Sequence, residues 1–146
     1  KLRWLARAEP QNAARVASVL LPHDWLTWRL AGRPDRPTTD RGDASGTGYW
    51  DPAAGECRTD LLELALGHGA EVPRVAAAAE VVGTTPSGAA LAPGTGDNMG
   101  AALGLGLRPG DVVVSLGTSG TAFAVSDSPT HDGRGPSCAR STRRAC

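Results

Sequence analysis

Gly94-Thr95-Gly96-Asp97-Asn98-Met99-Gly100-Ala101-Ala102-Leu103-Gly104, followed by Asp111-Val112-Val113-Val114-Ser115-Leu116-Gly117-Thr118-Ser119-Gly120-Thr121-Ala122-Phe123-Ala124-Val125-Ser126, is the stretch that decides the fold class. Residues 98–107 read as a helix of small side chains, closed by Arg108-Pro109-Gly110. The apolar run at 111–116 reads as a buried strand, and 121–126 as a second one. Gly117-Thr118-Ser119-Gly120 between them is a hairpin turn. A helix followed by strands, in a chain with other helical stretches, points to an α/β fold.

Upstream, residues 1–31 read as two helices. Trp4, Leu5, Ala13, Val16, Val19 and Leu20 recur at helical spacing, and Pro22 interrupts them. Asp24 is placed to cap a new helix carrying Trp25, Leu26, Trp28 and Leu30, with Gly32 just past its end. Helical spacing assigns Trp4, Trp25 and Trp28 to packing. Residues 38–51 read as a strand or a loop. Asp60 and Glu63 have capping-box spacing ahead of a short leucine-rich helix that stops at Gly67. Val81-Val82-Gly83 is a short strand candidate, and residues 84–96 are broken up by Pro and Gly.

The 146 residues suggest about one domain by length. Fifteen basic and fifteen acidic side chains cancel, which excludes a globally basic nucleic-acid binder and a strongly acidic disordered chain. Nothing approaches the apolar length of a membrane span. The three cysteines, Cys57, Cys138 and Cys146, have no metal-ligand spacing, so no metal ligands are assigned and a reducing cytoplasm is the expected compartment. Only Lys1 among the basic residues is Lys. With abundant Gly, Ala and Pro, that suggests a GC-rich coding sequence. The start, without Met and inside a helical pattern, reads as a fragment of a longer protein. Residues 131–146 carry a formal +3 and no apolar periodicity, and read as a disordered or frameshifted tail.

Two constellations hold candidate chemistry. Asp97 follows a Gly-Thr-Gly turn and opens a helix. A carboxylate there is positioned to act on a bound hydroxyl, and Asp97 or Asn98 is equally suited to cap the helix. Gly117, Thr118 and Ser119 offer backbone N–H groups and hydroxyls to phosphate oxygens, or simply turn a hairpin. This is no GxxxxGK[ST] loop. A carboxylate and a phosphate cradle facing one cleft would be the minimum kit for phosphoryl transfer to an alcohol.

Five segments in this order resemble the FGGY carbohydrate kinases, most closely their xylulokinase branch. They are Lys1-Leu2-Arg3-Trp4-Leu5, Leu20-Leu21-Pro22-His23-Asp24-Trp25-Leu26 through Gly32, Thr39-Asp40 with Asp43-Ala44-Ser45-Gly46-Thr47, Gly96 to Gly104, and Val114 to Gly120. The resemblance covers residues 1–130. It implies part of a two-domain, actin-like or ribonuclease-H-like ATPase fold, with residues 1–96 ending the N-terminal domain and 97–130 starting the C-terminal one. It implies transfer of phosphate from ATP, with Mg²⁺, to D-xylulose, giving D-xylulose 5-phosphate. Asp97 would be the catalytic base, Asp97 and Asn98 would contact the sugar, and Gly117, Thr118 and Ser119 would hold ATP phosphates. A homodimer of the full-length parent fits the same resemblance, and neither nucleic acid nor membrane is an expected partner. Another ketose or polyol as substrate, and a truncated remnant without turnover, are the alternatives.

Overall fold

The computed structural model describes residues 1–118 and 120–128. Expectations for Ser119 and for the tail at 131–146 lie outside these residues. The chain is a mixture of short helices and short strands, as the α/β reading expected. No helix among the described residues is long and apolar enough to cross a membrane.

The N-terminal helical pattern is interrupted early. Helix α1 spans Leu2–Ala8 and α2 spans Pro10–Ala13. Pro10 forces the break, because it lacks the N–H a continuous helix needs. Beyond Ala13 the expected helix gives way to an extended segment: Val19 N–H donates to Glu71 and Glu71 N–H to Ala17, with Ser18 bridging Glu71 in parallel. Val19 is therefore extended, while the Val16 N–H still closes the turn after α2 by donating to the Ala13 carbonyl. Val is stiff at χ1 and suits extended backbone, and its helical spacing here is fortuitous. The segment at 71–76 also pairs in parallel with residues 38–39: β1 (Thr38–Thr39) lies beside β4 (Arg74–Val75), and Ala76 N–H donates to the Thr39 carbonyl. Residues 17–19 and 38–39 thus flank 71–76, all running one way. Their ends deliver two helices to the same edge, α3 (Pro22–Leu30) and α4 (Arg41–Ser45).

Three local expectations change in detail. Leu21, not Asp24, is the N-cap of α3; Asp24 sits in the first turn and its Oδ2 accepts the Leu21 N–H at 2.8 Å. Helix α5 (Thr59–Leu66) has Arg58 as N-cap, and Asp60 pairs with the Arg58 guanidinium at 2.7 and 2.8 Å instead of forming a capping box. Gly67 ends α5 at φ +97°, in the left-handed region, as expected of a C-terminal glycine. Trp4 and Trp25 are exposed, so they do not pack as expected, while the Trp28 indole N–H donates to the Pro34 carbonyl at 2.7 Å.

The core is small. Leu62 and Leu66 of α5 are buried, with Ala13, Ala44, Ala76 and Ala102. α1 packs on α5, and the His68 ring joins the two ends by facing the Ala13 carbonyl at 2.9 Å and the Gly69 carbonyl at 2.7 Å. Strands β2 (Trp50–Asp51) and β3 (Glu56–Cys57) make one small hairpin, β5 (Gly83–Thr84) and β6 (Ala90–Leu91) another. The strand expected at 81–83 is displaced to Gly83–Thr84. Helix α6 spans Asp97–Gly104, and β7 (Val112–Leu116) pairs antiparallel with β8 (Gly120–Ala124), as the sequence predicts. The hairpin is not buried, however: Val112, Val114 and Leu116 are exposed.

Candidate active site

The edge reached by α3 and α4 is where polar chemistry collects. His23 and Asp24 occupy the first turn of α3. Asp40 ends β1 and caps α4, its Oδ2 accepting the N–H groups of Gly42 at 2.7 Å and Asp43 at 3.1 Å. An Asp N-cap satisfies donors the helix leaves open. Because the strands leading into α3 and α4 run parallel, residues 23–24 and 40–43 meet although about seventeen positions separate them.

His23 lies at the centre. Its Nε2 is 3.0 Å from Asp24 Oδ1 and 3.3 Å from Asp40 Oδ1, and its Nδ1 is 3.4 Å from Asp43 Oδ2. Asp24 is 1% exposed and Asp40 5%. Burial pushes the Asp24 carboxyl above its usual range, opposed by the Thr39 side chain, the Leu21 N–H and His23. His23, Asp40 and Asp43 each offer one atom within 4.8 Å of the others, a spacing that would also suit a metal ion.

The glycine turn ahead of α6 leans on this cluster. A Cβ on Gly94, which has φ +90°, would stand 3.5 Å from His23 Cδ2; one on Gly96 would come within 2.6 Å of Asp43 Oδ1. A Cβ on Gly42 would meet Met99 Cγ at 3.1 Å. Buried Pro93 anchors the turn. The N-terminus of α6 therefore sits against the N-terminus of α4; the absence of a side chain at 96 permits that approach, while Gly94 is set by its left-handed φ.

Gly96, not Asp97, is the N-cap of α6. Asp97 is the first helical residue; it is exposed, and its Oδ1 accepts the N–H of Asn98 at 2.7 Å. Asn98 is half-buried. The carboxylate is presented outward while its backbone is held from behind. Gly117 and Thr118 are exposed where the β7–β8 hairpin reverses after the Leu116–Gly120 pair. Among the described residues no hydrogen bond or ion pair joins that turn to Asp97 or Asn98. Ser119 lies outside the described residues.

His23, Asp40 and Asp43 were not among the site residues expected from sequence. Their signal was the concentration of acid and imidazole in the segments 22–26 and 39–47, but nothing in the spacing shows that these segments meet. That needs the parallel pairing through 71–76.

Comparison with known proteins places the sequence in a group. The description "FGGY family of carbohydrate kinases, N-terminal domain" fits residues 1–106, a span that takes in α6. The chain is 50% identical over 134 residues to a xylulose kinase of Streptomyces coelicolor, covering 86% of this chain and 27% of that protein. It is 50% identical over 137 residues to a xylulose kinase of Streptomyces rubiginosus, with the same coverage. It is 34% identical over 143 residues to a xylulose kinase of Haemophilus influenzae, covering 88% of this chain and 28% of that protein. The chain therefore spans just over a quarter of the length of these relatives.

Proposed function

Since the chain belongs to the FGGY family of carbohydrate kinases, we propose that it serves an ATP-dependent sugar kinase that converts D-xylulose to D-xylulose 5-phosphate. The names of its 50%-identical relatives support that choice of sugar. The family also supports an actin-like, ribonuclease-H-like ATPase architecture. In that architecture this chain holds the end of one domain and the start of the next, with the N-terminal family match reaching residue 106. A cytoplasmic location, where ATP is abundant, fits this reading.

The observation that carries the proposal is the placement of Asp97. It opens α6 with an exposed carboxylate, behind a turn whose glycines let the backbone sit close to the His23 cluster. In the reaction, Asp97 accepts the proton of the sugar's terminal hydroxyl as that oxygen bonds to the γ-phosphorus and the bond to the ADP oxygen breaks. The neighbouring Asn98 side chain donates to or accepts from a sugar hydroxyl. The hairpin turn suits phosphate by its donor set: an exposed Thr118 hydroxyl beside Gly117, which has no side chain to obstruct an approaching anion. Mg²⁺, when bound, spreads the charge of the phosphates; no residue of this chain is assigned to it.

The test exchanges this chain for the matching segment of the Streptomyces coelicolor enzyme and measures ADP release with D-xylulose, L-xylulose and polyols. Asp97→Asn keeps the shape and the hydrogen bond to Asn98 but removes the base. General-base catalysis contributes roughly 10²–10⁴-fold, so kcat should fall within that range with KM for ATP unchanged. A kcat within about threefold of the parent would leave Asp97 a structural residue at the helix start, since Asn serves there equally well.

A further inference from the structure

Three polar atoms in the cluster, His23 Nε2, Asp24 Oδ1 and Asp40 Oδ1, are buried and make no hydrogen bond of normal geometry. They are also one another's neighbours, at 3.0 and 3.3 Å. Buried polar groups are rarely left this way, because each costs about 1–3 kcal/mol unpaired. The charge is equally unbalanced. Asp24, Asp40 and Asp43 converge, and no Lys or Arg among the described residues forms an ion pair with any of them. The His23 ring stands between these carboxylates, with Nε2 facing Asp24 and Asp40 and Nδ1 facing Asp43. A metal ion would use only one ring nitrogen, whereas here both face carboxylates.

The consequence reaches the site. His23 ties the start of α3 to the start of α4, and Asp43 stands against Gly96 while His23 stands against Gly94. We propose that His23, bridging Asp24, Asp40 and Asp43, is a positioning residue that holds the Gly94–Gly96 turn and thereby sets the direction of the Asp97 carboxylate. This rests on the kinase reading above.

The experiment uses the active exchange protein. His23→Gln removes the imidazole that faces the three carboxylates; His23→Lys places a cation among them. The expected result is a kcat lowered at least about tenfold in His23→Gln, with KM for ATP unchanged and most of the loss recovered in His23→Lys. A tenfold loss corresponds to about 1.4 kcal/mol of transition-state stabilisation. In an Asp97→Asn background, His23→Gln should add little, because residues acting through one group are not additive. Asp43→Asn, which weakens only one arm, should show a smaller kcat loss and serves if His23→Gln does not fold. An active parent whose kcat changes less than about twofold in His23→Gln and Asp43→Asn overturns the proposal and leaves the kinase reading intact. So does a folded His23→Lys no better than His23→Gln, or multiplying losses in the double variant. Micromolar Mn²⁺ or Zn²⁺ binding to the 146-residue chain, abolished by Asp40→Asn, also overturns it by making the cluster a cation site. An unsubstituted exchange protein that folds and shows no kinase activity overturns both readings together.

Discussion

At the scale of single residues, the tightest fit among the described glycines is at Gly96. A methyl group there would stand 2.6 Å from Asp43 Oδ1, inside any real contact distance. Asp43 can swing away only by leaving His23. Gly96→Ala should therefore destabilise by about 1–3 kcal/mol, the range for overpacking a filled site, and urea midpoints of the active exchange protein will read it. Pairing it with Asp43→Ala should return most of the loss. If Gly96→Ala costs nothing, the turn does not rest on the cluster. Thr118→Val tests the other constellation. It removes an exposed donor and keeps the shape, so in the active exchange protein KM for ATP should rise more than KM for the sugar. Equal effects on both substrates would count against a phosphate role for the hairpin.

At the scale of elements, two ends of α5 illustrate different controls. Gly67 terminates the helix at φ +97° with open space around its Cα. Sterics outside the backbone thus play no part, and Gly67→Ala should cost about 1–2 kcal/mol from the left-handed conformation alone. The next residue, His68, is clamped between the carbonyls of Ala13 and Gly69, and these two acceptors raise its pKa above the usual 6.5. A folded-state value above the unfolded one means the folded chain binds more protons. The stabilisation is then complete below 6.5 and is lost as pH climbs through the raised value. In the active exchange protein, the unsubstituted form should exceed His68→Ala in urea midpoint most clearly on the acid side of 6.5, with the gap closing as pH climbs through the raised value. A gap independent of pH would show that the ring contributes by packing and not by its proton.

At the scale of the whole molecule, the balance between covered and uncovered apolar surface matters most. Leu62 and Leu66 are the only large aliphatic side chains in the buried set among the described residues, while Leu103, Leu105, Val112, Val114 and Leu116 are exposed. Val112, Val114 and Leu116 alternate along β7 and so lie on one face. A two-stranded ribbon also leaves strand edges open to other chains. The 146-residue chain should therefore be poorly soluble, self-associate with concentration and melt without a sharp transition. Sedimentation velocity and calorimetry will show this. Replacing Val112, Val114 and Leu116 with Thr should reduce the association. A monomeric chain with one sharp, concentration-independent transition would contradict it.

Sequence alone determined the features governed by short-range chemistry. The turn at 94–96, the helix after it and the β7–β8 hairpin are legible because glycine, small helix formers and β-branched runs act over a few residues, and Asp97 as a candidate base followed from them. The helical pattern through Val16 to Leu20 misled for the complementary reason: spacing records periodicity, whereas the backbone hydrogen bonds of Val19 and Glu71 come from a segment about fifty positions away. Only the tertiary structure could decide that 17–19 and 38–39 flank 71–76 in the same direction. That parallel arrangement brings His23, Asp24, Asp40 and Asp43 together and seats Gly94 and Gly96 upon them. No local rule encodes such a meeting, because it depends on which distant strands share hydrogen bonds and not on the residues themselves.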